Sequence, residues 1–396
     1  MESIQRCNIF SNKRKNYRVR TPLDDSIDKD LQLMLLSLNI MHYICPSPKY
    51  RIRNNLIQPN SLTVSIISIC CEIVVVLFFI FRVIDLYRVE HIRKHMSIIL
   101  FDTSYDVFAT SIGLVINYYI NVSKTKVNIS FVLKLQNVHR FLNDKVHFKR
   151  FIIINWISFV SLVIFYILAI LYSTFQYRFF VYHFCYGITY LYFDINIIYA
   201  IRLIVFLTKK VDLWNNEVQQ RLDAELEDSC TYWEKLFETY VEILECYDLY
   251  KRTYQFMILF HTVDFLINTL IRTQIVLQLF KVAHIGGKDW YTTALTVNLN
   301  LNTWVIKSMI LEIILSYCSE KFYKSMCDVQ NACTDILKSN EPGCKRRLCK
   351  NIQRLHRVTF NKMSACGMFY IDATFPLKMA ALVATYVLVL LQFALL

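Results

Sequence analysis

The 396-residue sequence is short of charge, glycine and proline: 19% of its residues are charged, and it holds six Gly and six Pro. A soluble domain carries about 25% charged and about 45–50% apolar residues. Here 55% are apolar and the mean hydropathy is positive, which excludes an ordinary soluble domain. Residues 1–20 are basic and lack an apolar run, so no cleavable signal peptide is expected. Catalytic patterns are missing as well. There is no G-x-S-x-G, no H-E-x-x-H and no phosphate-binding glycine loop, and no His recurs at a fixed spacing from Cys or Asp. Neither an enzyme nor a cofactor nor a metal centre is expected. The 13 cysteines include no C-x-x-C. Cys318, Cys327, Cys333, Cys344 and Cys349 cluster, and reduced structural thiols are the expectation.

What the chain does have is aromatic and apolar. Its 28 Phe and 25 Tyr suit lipid-facing helices and the belts where membrane meets water. The formal charge of +13 is spread between apolar runs, so it reads as membrane orientation, with the lipid bilayer and not a nucleic acid as partner. Seven runs, 62–83, 95–120, 151–173, 180–207, 254–280, 291–317 and 378–396, each come near the ~20 residues that a ~30 Å hydrocarbon layer requires. The expected fold is an all-α polytopic membrane protein of seven transmembrane helices. Lys and Arg number 10 in the N-terminal tail and 7, 6 and 10 in alternate connections, against 3, 1 and 2 in the others. By the positive-inside rule the N-terminus is cytosolic and the C-terminus extracellular, the reverse of a G-protein-coupled receptor. Sequons at Asn121-Val122-Ser123 and Asn128-Ile129-Ser130 then lie in the cytosol, unglycosylated.

The organisation follows from these spans. Residues 1–61 form a cytosolic tail whose apolar patch, 31–44, is too short for a comfortable crossing, precedes Pro46 and Pro48, and reads as interfacial or re-entrant. Spans one to four occupy 62–208, and 209–253 is a charged helical extension with Trp214, Leu222, Leu226, Trp233, Leu236, Tyr240 and Leu244 near helical spacing. Spans five and six occupy 254–317, and 318–377 is a second cytosolic segment, broken at Pro342-Gly343, before the last span, 378–396. Residues 209–253 hold 6 basic and 11 acidic residues, and residues 318–371 hold 10 and 4. Their opposite net charges suggest that the two segments pack into a helical anchor layer beneath the membrane.

Polar residues inside the spans mark candidate sites, because they are costly in lipid and face the bundle or a water-filled cavity. His261, Asp264, Asn268 and Arg272 form one stripe on the fifth span, with Asn268 placed to bridge Asp264 and Arg272. Asn298 and Asn302 stand at i, i+4 on the sixth, with Asn300 on another face and Trp304 beyond. They read either as a wall for a polar ligand or as interhelical hydrogen bonds. Outer halves of other spans supply Asp102, Tyr105, Asp106, Tyr166, Tyr172, Tyr182, His183, Tyr186 and Tyr190. Such an aromatic set with a few polar groups suits a small organic ligand, and Asp102 with Asp106 favours a cationic one. The alternative is an aromatic belt with helix-end carboxylates. Asp194 and Arg202, deeper in the fourth span, read as structural.

At the C-terminal end two doublets, Thr385-Tyr386 and Gln392-Phe393, stand seven residues apart. Seven positions return a helix to within about 20° of one direction, so Thr385 lies under Gln392 and Tyr386 under Phe393. This pattern resembles the signature of insect gustatory receptors. Ala365-Cys366-Gly367-Met368-Phe369-Tyr370-Ile371-Asp372 and Ser316-Tyr317-Cys318-Ser319-Glu320 are similar to that family's stretches before the last span and after the sixth. The family is similar in fold to insect odorant receptors, a branch that generally lacks the full pattern. The resemblance implies a ligand-gated cation channel, a homo- or hetero-tetramer with one central pore lined by the seventh helix and an outward-opening pocket in each subunit. Thr385, Tyr386, Leu388, Gln392 and Phe393 then become the pore and gate residues. Four copies of Gln392 would make a ring of amides that closes by hydrogen bonding, while Tyr386 and Phe393 would pack against the fifth and sixth spans. The last helix holds no acidic residue, so a poorly selective cation pore is expected. The expected function is taste perception: a small-molecule tastant, bitter in the absence of any sugar- or carbon-dioxide-branch feature, opens the channel in the plasma membrane of gustatory neuron dendrites. A seven-span receptor acting through a G protein and a polytopic transporter are the alternatives.

Overall fold

Helix-forming sequence runs on where the apolar spans end, and this continuity sets the architecture. The computed structural model describes residues 26–44, 47–88, 97–177, 180–223, 230–286, 288–338 and 343–395. The 1–25 part of the basic tail, together with Pro46 and Pro342, lies outside them. In chain order the elements are α1 (Lys29–Ile44), β1 (Arg51–Arg53), β2 (Leu56–Gln58), α2 (Leu62–Arg88) and α3 (Ser97–Tyr118), which a π-helical turn prolongs over Tyr119–Ser123. They continue with α4 (Thr125–Phe141), α5 (Lys145–Tyr177), α6 (Phe180–Asp223), α7 (Cys230–Gly286) and α8 (Lys288–Lys338). Then come α9 (Cys344–Thr359), β3 (Ser364–Ala365), β4 (Phe369–Tyr370) and α10 (Phe375–Leu395). Each pair of strands is an antiparallel hairpin.

Among the described residues, α2, α3, α5, α6, α7 and α10 are long and apolar enough to cross a membrane. The seventh membrane helix is α8. Its apolar run is interrupted by Lys307 and Glu312, which are paired inside the bundle, and its most extensive contacts are with α6 and α7. The boundaries placed at residues 208/209, 253/254 and 317/318 fall inside unbroken helices. The 57 residues of α7 rise about 85 Å, nearly three hydrocarbon thicknesses, so the helix leaves the membrane without breaking. α10 begins at Phe375, three residues before the expected start, because Asp372 accepts the Thr374 amide at 3.0 Å and Pro376 in the first turn needs no donor.

Beyond the apolar spans, the continuations of α6, α7 and α8 pack with α9 around one aromatic core. Trp214, Trp233, Tyr240, Tyr247, Phe322 and Ile352 are each no more than 2% exposed. Trp214 donates its indole N–H to the Leu236 carbonyl at 2.9 Å, and the Tyr247 and Phe322 rings lie 4.7 Å apart. Basic residues border this aromatic seam, Lys251 Nζ lying 5.0 Å from the Tyr247 ring centre and Lys345 Nζ 5.7 Å from that of Trp233. One cysteine expectation is overturned: Cys344 is disulfide-bonded to Cys230, 114 residues earlier, joining the first residue of α9 to the first of α7. Sequence spacing hid that pairing because only the helix packing brings the two starts within 5.7 Å, Cα to Cα. Cys318, Cys327, Cys333 and Cys349 are free thiols.

α1 lies on α5 and α6 and buries Leu31, Met34, Leu35 and Leu38. The chain then carries Lys49 into the protein, where its Nζ donates to Asn121 Oδ1 at 2.6 Å and to Asn196 Oδ1 at 3.2 Å. Asn121 and Asn128, the two sequon residues, are buried, and their amide nitrogens donate to Tyr192 and the Ile120 carbonyl.

Two histidines outside the spans give the fold a pH signature. His139 stacks on Phe148 at 4.2 Å, and His356 meets the Tyr240 hydroxyl at 2.7 Å. Burial, helped at His139 by the Lys210 charge, holds both imidazoles down at about 4. Both are therefore neutral in the folded protein, whereas an unfolded histidine takes up its proton near 6.5. Stability should be complete above about pH 6.5 and fall as the pH drops towards 4. Thermal unfolding in detergent across this range should show the fall, and it should be shallower when both histidines are replaced by Phe. A wild-type midpoint that does not move would contradict the assignment.

Candidate functional site

α3 can approach α6 and α7 closely because Gly113 has no side chain: a Cβ there would sit 2.5 Å from the Phe193 ring and 2.7 Å from that of Phe260. On the part of the bundle that includes the start of α6, the approach brings together polar groups from three helices. From α3 come Asp102, Tyr105 and Asp106, from α6 Tyr182, Tyr186 and Tyr190, and from α7 Asp264, Asn268 and Arg272. Tyr105 donates to Asp264 Oδ1 at 3.2 Å, and Asn268 Nδ2 donates to the same oxygen at 2.9 Å. Tyr182 donates to Asp106 at 3.4 Å, and Arg272 donates to the Tyr186 hydroxyl at 3.2 Å. Asn268 thus reaches Asp264 but does not bridge to Arg272, and its Oδ1 is buried with no partner among the described residues. The Tyr186 and Tyr190 rings lie 4.4 Å apart, with Trp304 of α8 edge-on to Tyr186 at 5.9 Å.

These residues surround a cavity of about 20 Å³ lined by Tyr190, Asp264, Phe265, Asn268, Arg272, Trp304, Val305 and Lys307, among others. That is room for about one water molecule. Of the residues picked from sequence, Asp102, Tyr105, Asp106, Tyr182, Tyr186, Asn268 and Arg272 converge here, and half-buried His183 packs edge-on against Tyr182. Three do not. Asn302 Nδ2 donates to Asn298 Oδ1 at 2.6 Å on an exposed flank of α8, because the i, i+4 spacing that suggested a wall also brings one amide onto the other. Tyr172 is exposed. Tyr166 points into a second, deeper cluster. The side chain of Asn300 lies outside the described residues.

That deeper cluster joins four helices. Asp194 of α6 accepts Lys307 Nζ at 2.6 Å and the Tyr166 hydroxyl at 2.7 Å, and faces His261 Nε2 at 3.3 Å. His261 meets Glu312 at 2.9 Å through its other nitrogen, and Thr262 donates to the same carboxylate oxygen. Lys307 and Glu312 escaped the sequence reading. The available signal was their presence in the sixth apolar run, where two unpaired charges are costly and must find partners across helices.

α10 depends little on its own chain: only 6% of its apolar window is buried. Phe375, Met379 and Val383 pack on Phe265 and Leu266 of α7 and Val305 of α8. Tyr386, expected in that contact, is 50% exposed and Leu388 61%, because α10 touches α7 and α8 through its first turns. Gln392 is also exposed, and Thr385 returns its hydroxyl to the Ala381 carbonyl at 2.9 Å. The side chain of Phe393 lies outside the described residues. Phe265 and Val305, which support α10, also line the polar cavity.

A family model described as 7tm chemosensory receptor matches residues 34–396. Two solved structures of the insect olfactory receptor OR5 from Machilis hrabei share the fold. The eugenol complex has a TM-score of 0.63 at 11% identity, covering 92% of this chain and 100% of that one. The other has a TM-score of 0.64 at 13% identity with the same coverage. No curated protein matches the chain by sequence.

The deeper cluster yields a stability test. Lys307→Met strands the Asp194 carboxylate in the bundle and should destabilise by about 3–5 kcal/mol, the usual result of removing one partner of a buried pair. Combining it with Asp194→Asn should recover most of the loss, as read from unfolding midpoints of the purified protein. A double variant as unstable as the single one would remove the pair from its central place.

Proposed function

Because this chain belongs to the 7tm chemosensory receptor family, we propose that it is a gustatory receptor: a nonselective cation channel of four subunits, opened by a small organic tastant in the plasma membrane of taste neurons. The observation that carries this reading is the shared wall. Phe265 and Val305 are at once the lining of the polar cavity and the seat of α10. At about 20 Å³ the cavity admits no guest larger than a water or two. A tastant must therefore part α3 and α6 from α7 and α8, and displacement of the last two moves the seat of α10. Tighter binding to the parted state is what drives opening. The structural neighbour was solved in complex with eugenol, a small organic molecule.

The exposed apolar length of α10 supports its role at a fourfold axis, where copies from neighbouring subunits cover one another. Gln392 on that face serves as the amide gate, and the lack of acidic residues in the helix supports weak ion selectivity. The cytosolic N-terminus rests on the Lys and Arg asymmetry, 33 on one side against 6 on the other.

Tastants should evoke cation current in excised patches with no nucleotide or G protein present, an outcome that a G-protein-coupled receptor or a transporter would not give. Silence from surface-expressed protein across a broad tastant panel would count against the reading. Asn268→Leu should shift the dose-response by about tenfold, the worth of roughly one hydrogen bond, with maximal current retained. Gln392→Leu should act the other way, changing open probability in single-channel records while the half-maximal concentration moves little. If it shifts only the dose-response, Gln392 is not the gate.

A further inference from the structure

Sharing only Lys307 with the lining of the polar cavity, a second concavity opens on the side of the bundle between α5, α6 and α8. Its volume is about 620 Å³, and Leu162, Phe165, Ile198, Ile306, Ile310 and Ile314 make most of its wall. Arg202 also lines it, although only 9% exposed. Its Nε donates to Asn155 Oδ1 at 2.6 Å, and its guanidinium lies 4.3 Å from the Phe151 ring centre. One terminal nitrogen of the guanidinium is buried with no partner, and among the described residues no carboxylate lies within 4.0 Å of it. A guanidinium does not shed its charge, and an unpaired charge in an apolar wall is unfavourable. The other cation at the groove, Lys307, is already neutralised by Asp194.

Depth identifies what completes Arg202. It stands 22 residues beyond the start of α6, about 33 Å along the axis and so one hydrocarbon thickness from that end. Lys149 and Arg150, both exposed, immediately precede Phe151 and mark the same boundary. The Asp194–Lys307 pair fixes the register of α6 against α8, which places Arg202, eight residues further on, near the Ile314 and Cys318 end of the groove. From there to Thr303 the groove runs about 22 Å, more than the ~15 Å depth of one leaflet.

We propose that this groove binds an anionic phospholipid of the leaflet on the side where α6, α7 and α8 project, with its phosphate on Arg202 and one acyl chain along the groove. A phosphate accepts the free N–H in the forked geometry that a guanidinium offers, and the exposed Lys149 and Arg150 draw the acidic headgroup to the rim. An inorganic anion would satisfy the charge but leave the apolar wall open. The occupant braces α8 against α5 and α6, and so acts on the helix that carries both the cavity wall and the seat of α10.

The test needs no channel current and so is independent of the proposed function. Protein purified in a neutral detergent is supplied with phosphatidylserine or phosphatidylcholine of matched chains, then followed by native mass spectrometry and thermal unfolding. Phosphatidylserine should be retained at least about fivefold over phosphatidylcholine and should raise the midpoint more. Arg202→Gln should erase that preference. Ile310→Trp, which fills the groove and leaves Arg202 in place, should reduce retention of both lipids. Equal retention of the two lipids, the same stabilisation from inorganic phosphate alone, or unchanged phosphatidylserine retention in Ile310→Trp would each overturn the proposal. So would Ser161→Cys cross-linking efficiently to a second copy, since the groove would then be a subunit contact.

Discussion

Charges placed in the membrane bundle must be paired there, and the cluster around Asp194 is where this requirement is met. Asp194 on α6, His261 on α7, and Lys307 and Glu312 on α8 lock the three longest helices to one register. An apolar contact between helices tolerates sliding by a turn. A carboxylate shared between an ammonium and an imidazole does not, since a shift of a few ångströms strands a charge. Register fixed at this level extends both ways along rigid helices. Towards the start of α6 it brings Arg272 to Tyr186 and closes the small cavity. In the other direction it lines up Trp214, Tyr240, Tyr247 and Phe322 in the aromatic layer.

What could be read from the sequence divides along the same line. The apolar length of the spans and the alternating positive charge are local properties, and they are enough for the fold class and for all seven spans. The Asp102, Asp106, Asp264 and Arg272 cluster was legible because an ionisable residue in a span has few places to go. Which partner each finds was not, because that depends on register between helices distant in sequence. Asn298 and Asn302 illustrate the failure: equal spacing serves a ligand wall or a self-satisfied pair, and only the neighbouring surface decides. Tyr386 illustrates another. A helix whose contacts are made by its first turns leaves the rest of its residues for partners that its own chain does not provide. The link from Cys230 to Cys344 is invisible in the sequence for the converse reason, since it depends on the packing of two helix starts 114 residues apart. The helical periodicity of 209–253 is legible, but not that it runs without a break into the fifth span.

A cavity with room for one water would be a poor binding site if the bundle were rigid. Its value lies in what surrounds it. The polar residues on its α3 and α6 side meet α7 through hydrogen bonds of 3.2 Å at Tyr105 and 3.2 Å at Tyr186, whereas the deeper cluster ties α8 to α6 at 2.6 Å and to α7 at 2.9 Å. It is α8 that the deeper cluster holds most closely. On the proposed function, a guest that parts the upper contacts would tilt α7 and α8 about the Asp194 cluster, with a displacement that grows with distance from that pivot. Phe265, one turn from His261, and Val305, two residues from Lys307, lie close to the pivot, so they move little while carrying the first turns of α10. The seat shifts slightly, but α10 rises about 30 Å and meets almost nothing else in its own chain. A small rotation at Phe375 and Met379 is therefore converted along that length into a larger displacement at Gln392. On the proposed function, the near absence of packing that leaves α10 exposed is what lets it respond.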